Sequence, residues 1–263
     1  MVSLSGKLIG WSRRSARALP WRGVRDPAPS RAGKTAGAPE PGGAGPYRIW
    51  VSEIMLQQTR VETVIPYYRS FLKKFPTLRA LSRAKTQSVL KVWEGLGYYS
   101  RALNLRRAAV EIQNSRGGRL PRTAAEWESL PGVGCYTAAA IASLAFDEPA
   151  AALDANARRI LARLYAFRRP VGETRSHSVL AVLYQKARGR ASPAAFFQAL
   201  MDLGQLVCLP RSPLCERCPV SSHCLARKRG IQSRLPFRNK PKSIPHFLED
   251  IFSNINLATF SIV

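Results

Sequence analysis

The residues LPGVGCYTA at positions 130–138 decide the fold that this sequence predicts. Gly132 and Gly134 place a tight turn between two helical patterns, because glycine tolerates positive φ and lets another group approach the backbone closely. The free N–H groups at the start of the following helix then favour an anion such as a phosphate. This arrangement is typical of a helix-hairpin-helix motif, which holds the DNA backbone without reading the base sequence.

The sequence around this turn is helical from about residue 47 to residue 205, with apolar residues at the spacing of amphipathic helices. Alternating β patterns are almost absent, so the sequence predicts an all-α fold. Residues 23–46 are mostly Gly, Pro and Ala and predict a flexible loop. Short breaks rich in glycine or proline separate the helices near residues 76, 95–97, 117, 130–134 and 147–149.

The 263-residue chain carries 41 Lys and Arg against 16 Asp and Glu, a formal charge of +25. Apolar residues make up 46% of it, which is enough for a buried core and excludes a disordered chain. So basic a folded protein most often binds a polyanion, usually nucleic acid, although a ribosomal or membrane-surface protein shares this composition. We expect the cations that face DNA to include Arg101, Arg106, Arg107, Arg158 and Arg159, and those in the run from Arg211 to Lys242.

Four of the five cysteines lie close together, as Cys208, Cys215, Cys218 and Cys224. An odd number of cysteines without an export signal indicates metal binding in a reducing compartment rather than disulfides. Four thiolates on a short segment can hold either an iron–sulfur cluster or a tetrahedral zinc ion. Only one C-x2-C pair is present, and the uneven loops of six, two and five residues favour the iron–sulfur cluster.

Two carboxylates stand in segments that suggest chemistry. Glu53 lies among apolar residues in WVSEIMLQQT (residues 50–59), which we expect to start a helix and to place Glu53 and Gln57 on one face. The sequence alone leaves open that Glu53 is a first-turn carboxylate that complements the helix dipole. Asp154 in LDANARR (residues 153–159) is a candidate helix N-cap, a role that is compatible with catalysis.

Seven blocks of the sequence, taken in order, resemble the adenine DNA glycosylases of the MutY family, which belong with endonuclease III to the helix-hairpin-helix glycosylases. The resemblance covers roughly residues 11–240 and implies a two-lobed all-α fold, with a six-helix barrel lobe and an iron–sulfur lobe. It also implies a 4Fe–4S cluster on the four cysteines. The blocks are LPWR (19–22), WVSEIMLQQT (50–59), GLGYYSRA (95–102), LPGVGCYTA (130–138), LDANARR (153–159), FQALMDLG (197–204) and the cysteine segment.

The resemblance implies a division into domains. Residues 47–150 form the six-helix helix-hairpin-helix domain, and residues 1–46 with 151–230 form the iron–sulfur domain. Residues 231–263 are a linker and the first part of the Nudix-like domain with which the family recognises 8-oxoguanine. We expect this stub to be too short to fold as that domain, and the loop at 23–46 is longer than is usual in the family.

The resemblance assigns catalytic roles to three residues. Glu53 is the general acid that protonates the extruded adenine, which requires a carboxyl with a raised pKa in apolar surroundings. Asp154 stays ionised and stabilises the oxocarbenium-like sugar, and Tyr136 supports this intermediate. Relatives such as endonuclease III carry a lysine at the position of Tyr136, where it attacks the sugar as an amine nucleophile. Tyrosine there indicates a monofunctional enzyme that removes the base without cutting the strand.

Further residues are implied to contact DNA or the flipped base. Those that contact DNA are Gln57, Gln58, Thr59, Tyr98, Tyr99, Gly132 and Gly134. For the two tyrosines the sequence leaves open that they are buried core aromatics. Those that form the adenine pocket are Trp21, Arg22, Leu56 and Gln198.

The activity that the resemblance implies is hydrolysis of the N-glycosidic bond of adenine mispaired with 8-oxoguanine or guanine. We expect a monomer that acts on double-stranded DNA, binds no membrane, and resides in the cytoplasm, on the nucleoid if the source is bacterial. Two alternatives stay open. One is an endonuclease III-like glycosylase for oxidised pyrimidines, against which Tyr136 argues, and the other is an iron–sulfur DNA-binding protein without turnover.

Overall fold

The computed structural model describes residues 3–15, 17–22 and 45–237, and these residues form helices and turns without a β-strand. The predicted all-α fold is confirmed. Residues 23–44 and 238–263, which include most of the predicted loop and of the predicted stub, lie outside the described residues. The helices are α1 (Leu4–Ser15), α2 (Pro46–Leu56), α3 (Val61–Lys74), α4 (Leu78–Ser82), α5 (Thr86–Trp93), α6 (Tyr99–Ser115), α7 (Ala124–Glu128), α8 (Cys135–Phe146), α9 (Ala155–Leu164), α10 (Thr174–Arg188), α11 (Pro193–Leu206) and α12 (Leu225–Lys228).

Helices α2 to α8 surround a first hydrophobic core. Its largest side chains are Trp50, Trp93 and Trp127, which are fully buried. The rings of Trp50 and Trp127 lie 5.3 Å apart and join α2 to α7. Because large aromatic rings remove much apolar surface from water, these contacts dominate the packing of α2. The helix that carries Glu53 is therefore rigidly placed in this core.

A second hydrophobic core joins α1 to α9, α10 and α11. Tyr184 and Phe196 meet there edge to face, with their ring centroids 5.1 Å apart. The segment after α1 reaches the other core, since Leu19 and Trp21 are buried among the residues of the first core. The N-terminal residues thus pack against both cores, whereas the predicted boundaries place them with the second lobe alone.

Helix α8 lies between the two cores, and residues 137–143 are all buried. On one side Ile141 packs into the first core, and on the other side Ala139 and Ala140 pack against Phe197 of α11. A helix that is apolar on every side is buried on every side, and its alanines let the neighbouring backbones come close. None of the helices in the described part of the chain has both the length and the apolar character needed to cross a bilayer.

The turn between α7 and α8 is the predicted hairpin. Gly132 adopts a φ of +76°, whereas Gly134 is extended, with φ −87° and ψ 171°. Only Gly132 therefore uses the positive φ that the sequence allows for both. A Cβ on Gly132 would meet the Cβ of Asn104 at 2.6 Å, but a Cβ on Gly134 would meet nothing within 4 Å. Gly132 thus lets the hairpin pack directly on α6.

We expect Gly132→Ala to destabilise the protein more than Gly134→Ala, which replaces the N-cap of α8 without a clash. Alanine at position 132 combines a left-handed backbone with a clash against Asn104, and backbone strain of this kind costs about 1–3 kcal/mol. Thermal unfolding of both variants beside the wild type measures the difference. Equal melting temperatures for the two variants would contradict the close packing of Gly132 on α6.

Candidate active site

A cavity of about 270 Å³ opens between the two cores. Its walls come from the segment after α1, from α2, from the first turn of α8, from the start of α9 and from α11. The fold thus brings together side chains that are far apart in the sequence. The residues predicted for the site that line this cavity are Trp21, Arg22, Glu53, Leu56, Gln57, Thr59, Tyr136, Asp154 and Gln198.

Glu53 lies near the end of α2, because this helix begins at Pro46 and not near residue 50. The alternative that Glu53 is a first-turn carboxylate is therefore wrong. Burial, together with the negative charge of Asp154, raises the pKa of Glu53 to about 7, and the positive charge of Arg22 partly opposes this rise. A carboxyl in this range is often protonated at neutral pH, as a general acid requires.

Asp154 is the N-cap of α9, as the sequence predicts. Its carboxylate accepts hydrogen bonds from the N–H of Ala157 at 2.7 Å and from the side-chain amide of Asn156 at 2.8 Å. Burial raises the pKa of Asp154, while these hydrogen bonds and the positive charge of Arg159 oppose the rise. Hydrogen bonds to a carboxylate favour its ionised form, so the cap also suits an ionised catalytic group.

Tyr136 lies in the first turn of α8, close to both carboxylates. Burial is the main cause that raises the pKa of Tyr136, and the negative charges of Glu53 and Asp154 raise it further. The phenol therefore stays protonated at neutral pH and offers a neutral O–H donor. No lysine is found among the described residues that line the cavity, so they offer no amine nucleophile.

Sequence reasoning missed Asp202, which is only 1% exposed in the middle of α11. Its carboxylate accepts a hydrogen bond from Ser12 Oγ at 2.7 Å and one from Arg22 Nη1 at 2.6 Å. A buried charge needs such partners, and the ion pair holds the Arg22 guanidinium where it acts on Glu53. The signal in the sequence is an acid inside the apolar stretch FFQALMDLG (residues 196–204).

Arg159 connects Asp154 to the cysteine segment. Its guanidinium donates to Asn156 Oδ1 and to the carbonyls of Gly204 and Cys208, each at 2.8 Å. Asn156 is a second residue that sequence reasoning missed. Its side-chain amide donates to the carboxylate of Asp154 and so links Asp154 to Arg159. Arg159 is buried, so the expectation that it faces DNA is wrong.

Of the other arginines expected to face DNA, Arg101 is buried, whereas Arg106 and Arg158 are half-buried and bond to the backbone as well. Arg101 is buried and donates to several backbone carbonyls. Arg106 donates to a carbonyl at 2.6 Å, and Arg158 donates to two carbonyls at 3.0 and 2.8 Å. Of the five, only Arg107 is exposed. For Arg106, Arg107 and Arg158 a contact with DNA stays a prediction.

The four cysteines line one small cavity. Among the described residues, no three His, Cys, Asp or Glu side chains converge closely enough to hold a single metal ion. Four cysteines around one cavity have the ligand chemistry of an iron–sulfur cluster and also that of a tetrahedral zinc site. Arg163 donates to Cys208 Sγ at 3.4 Å and places a positive charge beside the thiolates that a cluster requires.

The residues predicted to contact DNA outside the cavity lie on the surface. Tyr98 and Tyr99 are 58% and 45% exposed, so the alternative that they are core aromatics is wrong. Gln58 and the two hairpin glycines are exposed as well. Gln57 differs, because its side-chain amide donates to Thr137 Oγ1 at 3.0 Å and thereby joins the end of α2 to α8.

Comparison with known proteins defines the class. The HhH-GPD superfamily of base excision DNA repair proteins matches residues 51–180, and the iron–sulfur binding domain of endonuclease III matches residues 208–224. A thermostable thymine-DNA glycosylase structure is 27% identical with a TM-score of 0.68, over 86% of this chain and 95% of that chain. A non-covalent endonuclease III–DNA complex is 22% identical with a TM-score of 0.60, over 72% and 86% of the two chains. The chain is therefore similar to the HhH-GPD glycosylases, in sequence over residues 51–180 and in fold.

The particular family follows from the sequence relatives. The adenine DNA glycosylase of Homo sapiens is 40% identical over 236 residues, which are 89% of this chain and 41% of the human protein. The chain spans less than half the length of the mammalian relatives that it matches. The chain is a homologue of the adenine DNA glycosylases, as its motifs predict, and its four cysteines bind a 4Fe–4S cluster.

We expect Cys215→Ser to lose most of its iron and its visible absorbance, and Cys135→Ser to keep both. Cys215 lines the cysteine cavity, whereas Cys135 is exposed in the first turn of α8. Iron and acid-labile sulfide per chain, measured with the absorption spectrum on protein purified without air, check this expectation. A colourless wild type that contains zinc would overturn the cluster assignment, because Zn²⁺ is a closed-shell ion.

Proposed function

We propose that this protein is a monofunctional DNA glycosylase that hydrolyses the N-glycosidic bond of adenine mispaired with 8-oxoguanine or guanine. The observation that carries the proposal is that Glu53, Tyr136 and Asp154 line one cavity whose described walls hold no lysine. Because the two carboxyls lie in different surroundings, one can donate a proton while the other stays ionised. The relatives named adenine DNA glycosylase support adenine as the base.

Glu53 acts on the base as the general acid. Adenine departs more easily once a ring nitrogen is protonated, because a neutral base is a better leaving group than an anion. With a pKa of about 7, Glu53 is protonated in about half of the molecules at neutral pH and releases this proton readily to the base. Leu56 and Phe197 contribute apolar wall, which limits the water around this proton transfer.

Asp154 and Tyr136 act on the sugar. Positive charge develops on the deoxyribose as the C–N bond breaks, and an ionised Asp154 stabilises it electrostatically. The N-cap hydrogen bonds keep this carboxylate in place, and the neutral Tyr136 hydroxyl donates a hydrogen bond to the reacting groups. Water then attacks the sugar, which leaves free adenine and an abasic site in an intact strand.

Duplex DNA is held by the exposed residues outside the cavity. Gln58, Tyr98 and Tyr99 enter the duplex beside the extruded adenine and offset part of the unstacking cost of about a few kcal/mol. The backbone of the hairpin holds the phosphates. When bound, the 4Fe–4S cluster cross-links the cysteine segment, which Arg159 joins to Asp154 through Asn156. The protein acts as a monomer in this proposal.

We expect the protein to produce an alkali-labile site in a duplex with one A:8-oxoguanine pair, and Glu53→Gln to slow this reaction about 100- to 10,000-fold. The same strand annealed to a complement with guanine opposite the adenine gives an A:G duplex. The ratio of the two excision rates measures the preference for the opposite base. Borohydride trapping on duplexes with an oxidised pyrimidine tests the endonuclease III-like alternative. Mismatch binding without excision of adenine from either duplex would overturn the proposal in favour of a protein without turnover.

We also expect the single-turnover rate to fall on both sides of neutral pH. Above about pH 7 Glu53 loses the proton that it must donate, and at low pH Asp154 gains a proton and no longer stabilises the sugar cation. Rates at saturating protein across the pH range check this profile. Glu53→Gln is the control, because it removes the fall on the alkaline side. A wild-type rate that rises through pH 7 would assign Glu53 to a base instead.

A further inference from the structure

Arg101 lies between two surface loops, the QQT loop (residues 57–59) after α2 and the GLGY turn (residues 95–98) after α5. We infer that Arg101 is a positioning residue that holds these two loops at the separation needed to extrude a base. The inference rests on the proposed function, because both loops carry the residues assigned to probe the duplex. It also replaces the expectation that Arg101 contacts phosphates.

The guanidinium first secures the QQT loop. Arg101 Nη1 donates to the carbonyl of Met55 at 2.8 Å, to that of Ile54 at 3.3 Å and to that of Gln57. Arg101 Nη2 donates to Thr59 Oγ1 at 3.0 Å. These acceptors are carbonyls at the end of α2 and polar groups of the loop, so a cation there also complements the negative end of the helix dipole.

The same guanidinium secures the GLGY turn. Arg101 Nη2 donates to the carbonyls of Leu96 at 3.4 Å and Gly97 at 3.1 Å. Its central carbon lies 5.2 Å from the ring centroid of Tyr98 and 5.5 Å from that of Trp93. One side chain therefore contacts both loops and stacks against an exposed aromatic residue that is assigned to the duplex.

Each loop carries a residue in an uncommon backbone conformation. Gln58 has a φ of +57° and Tyr98 a φ of +49°, and neither is glycine. Such residues persist only where their surroundings hold them, and they concentrate at functional sites. In both loops the hydrogen bonds that flank the strained residue end on Arg101. The two probing side chains thus depend on one anchor.

The burial of Arg101 is costly in itself. Only 8% of the residue is exposed, and no ion pair in the described part of the chain includes it. Its charge is balanced by carbonyl dipoles, the Thr59 hydroxyl and aromatic faces, and burial lowers the pKa of Arg101. Lysine cannot replace this contact, because an ammonium group lacks the planar fork that spans two sets of acceptors.

The test uses 2-aminopurine in place of the target adenine opposite 8-oxoguanine. Every variant also carries Glu53→Gln, so that extrusion of the base is seen without its excision. We expect Arg101→Lys and Arg101→Gln to lose the rise in fluorescence at saturating protein. The matched control is Arg116→Gln, which breaks a 2.7 Å ion pair with Glu126 at the other end of α6. With Glu53 intact, both Arg101 variants are expected to slow single-turnover excision about 100-fold, whereas the control keeps both signals.

The outcomes separate this inference from the proposed function. Full fluorescence from folded Arg101 variants, with melting temperatures like that of the control, would overturn the inference alone. If the Arg101 variants do not fold, Thr59→Val decides, since it removes one acceptor and keeps the guanidinium. We expect a reduced rise from it, and a full rise counts against the inference. If a chain with Arg101 intact gives no rise and no excision of adenine, the proposed function falls and this inference falls with it.

Discussion

Helix α8 leaves little surface to solvent along residues 137–143, because small side chains let the first core close on one side and α11 on the other. The hairpin turn leads into this helix, Tyr136 lies in its first turn, and Phe197, which packs on its alanines, lines the cavity. The cavity therefore exists where the two cores meet. A run of alanines, and no catalytic side chain, sets how closely the lobes carrying the two carboxylates approach.

Three of the arginines that contribute to the charge of +25, Arg101, Arg159 and Arg163, are buried. Arg163 donates to the carbonyls of Leu209, Pro210, Gln232 and Leu235, all in segments outside the longer helices. Backbone in such segments lacks the partners that a helix or sheet supplies, and one guanidinium satisfies several carbonyls at once. Arg101 and Arg159 do the same at the QQT loop and beside the cysteines. Some of the basic residues of this protein therefore stabilise its own backbone.

The sequence was sufficient for features that depend on local signals. Helix breaks, the hairpin glycines and the cysteine spacing act over a few residues, and the order of the motifs predicted which side chains share a cavity. The roles of those side chains stay predictions. The pairing of Asp202 with Arg22 could not be predicted, because nothing local selects one partner 180 residues away. Arg101 was misplaced for a related reason: an arginine in a basic chain is expected at the surface unless its carbonyl partners are already known.

The buried carboxylate of Asp202 also bears on how the chain is made. Its two partners precede it by 190 and 180 residues, so the N-terminal helix leaves the ribosome long before its acceptor is synthesised. During that interval α1 lacks the α11 surface on which it packs, although Trp21 can already pack against the first core. The contact is closed late and at a large cost in loop entropy. Docking of the N-terminal helix is therefore a late step of folding, because α11 must be in place before the hydrogen bonds of Ser12 and Arg22 to Asp202 can form.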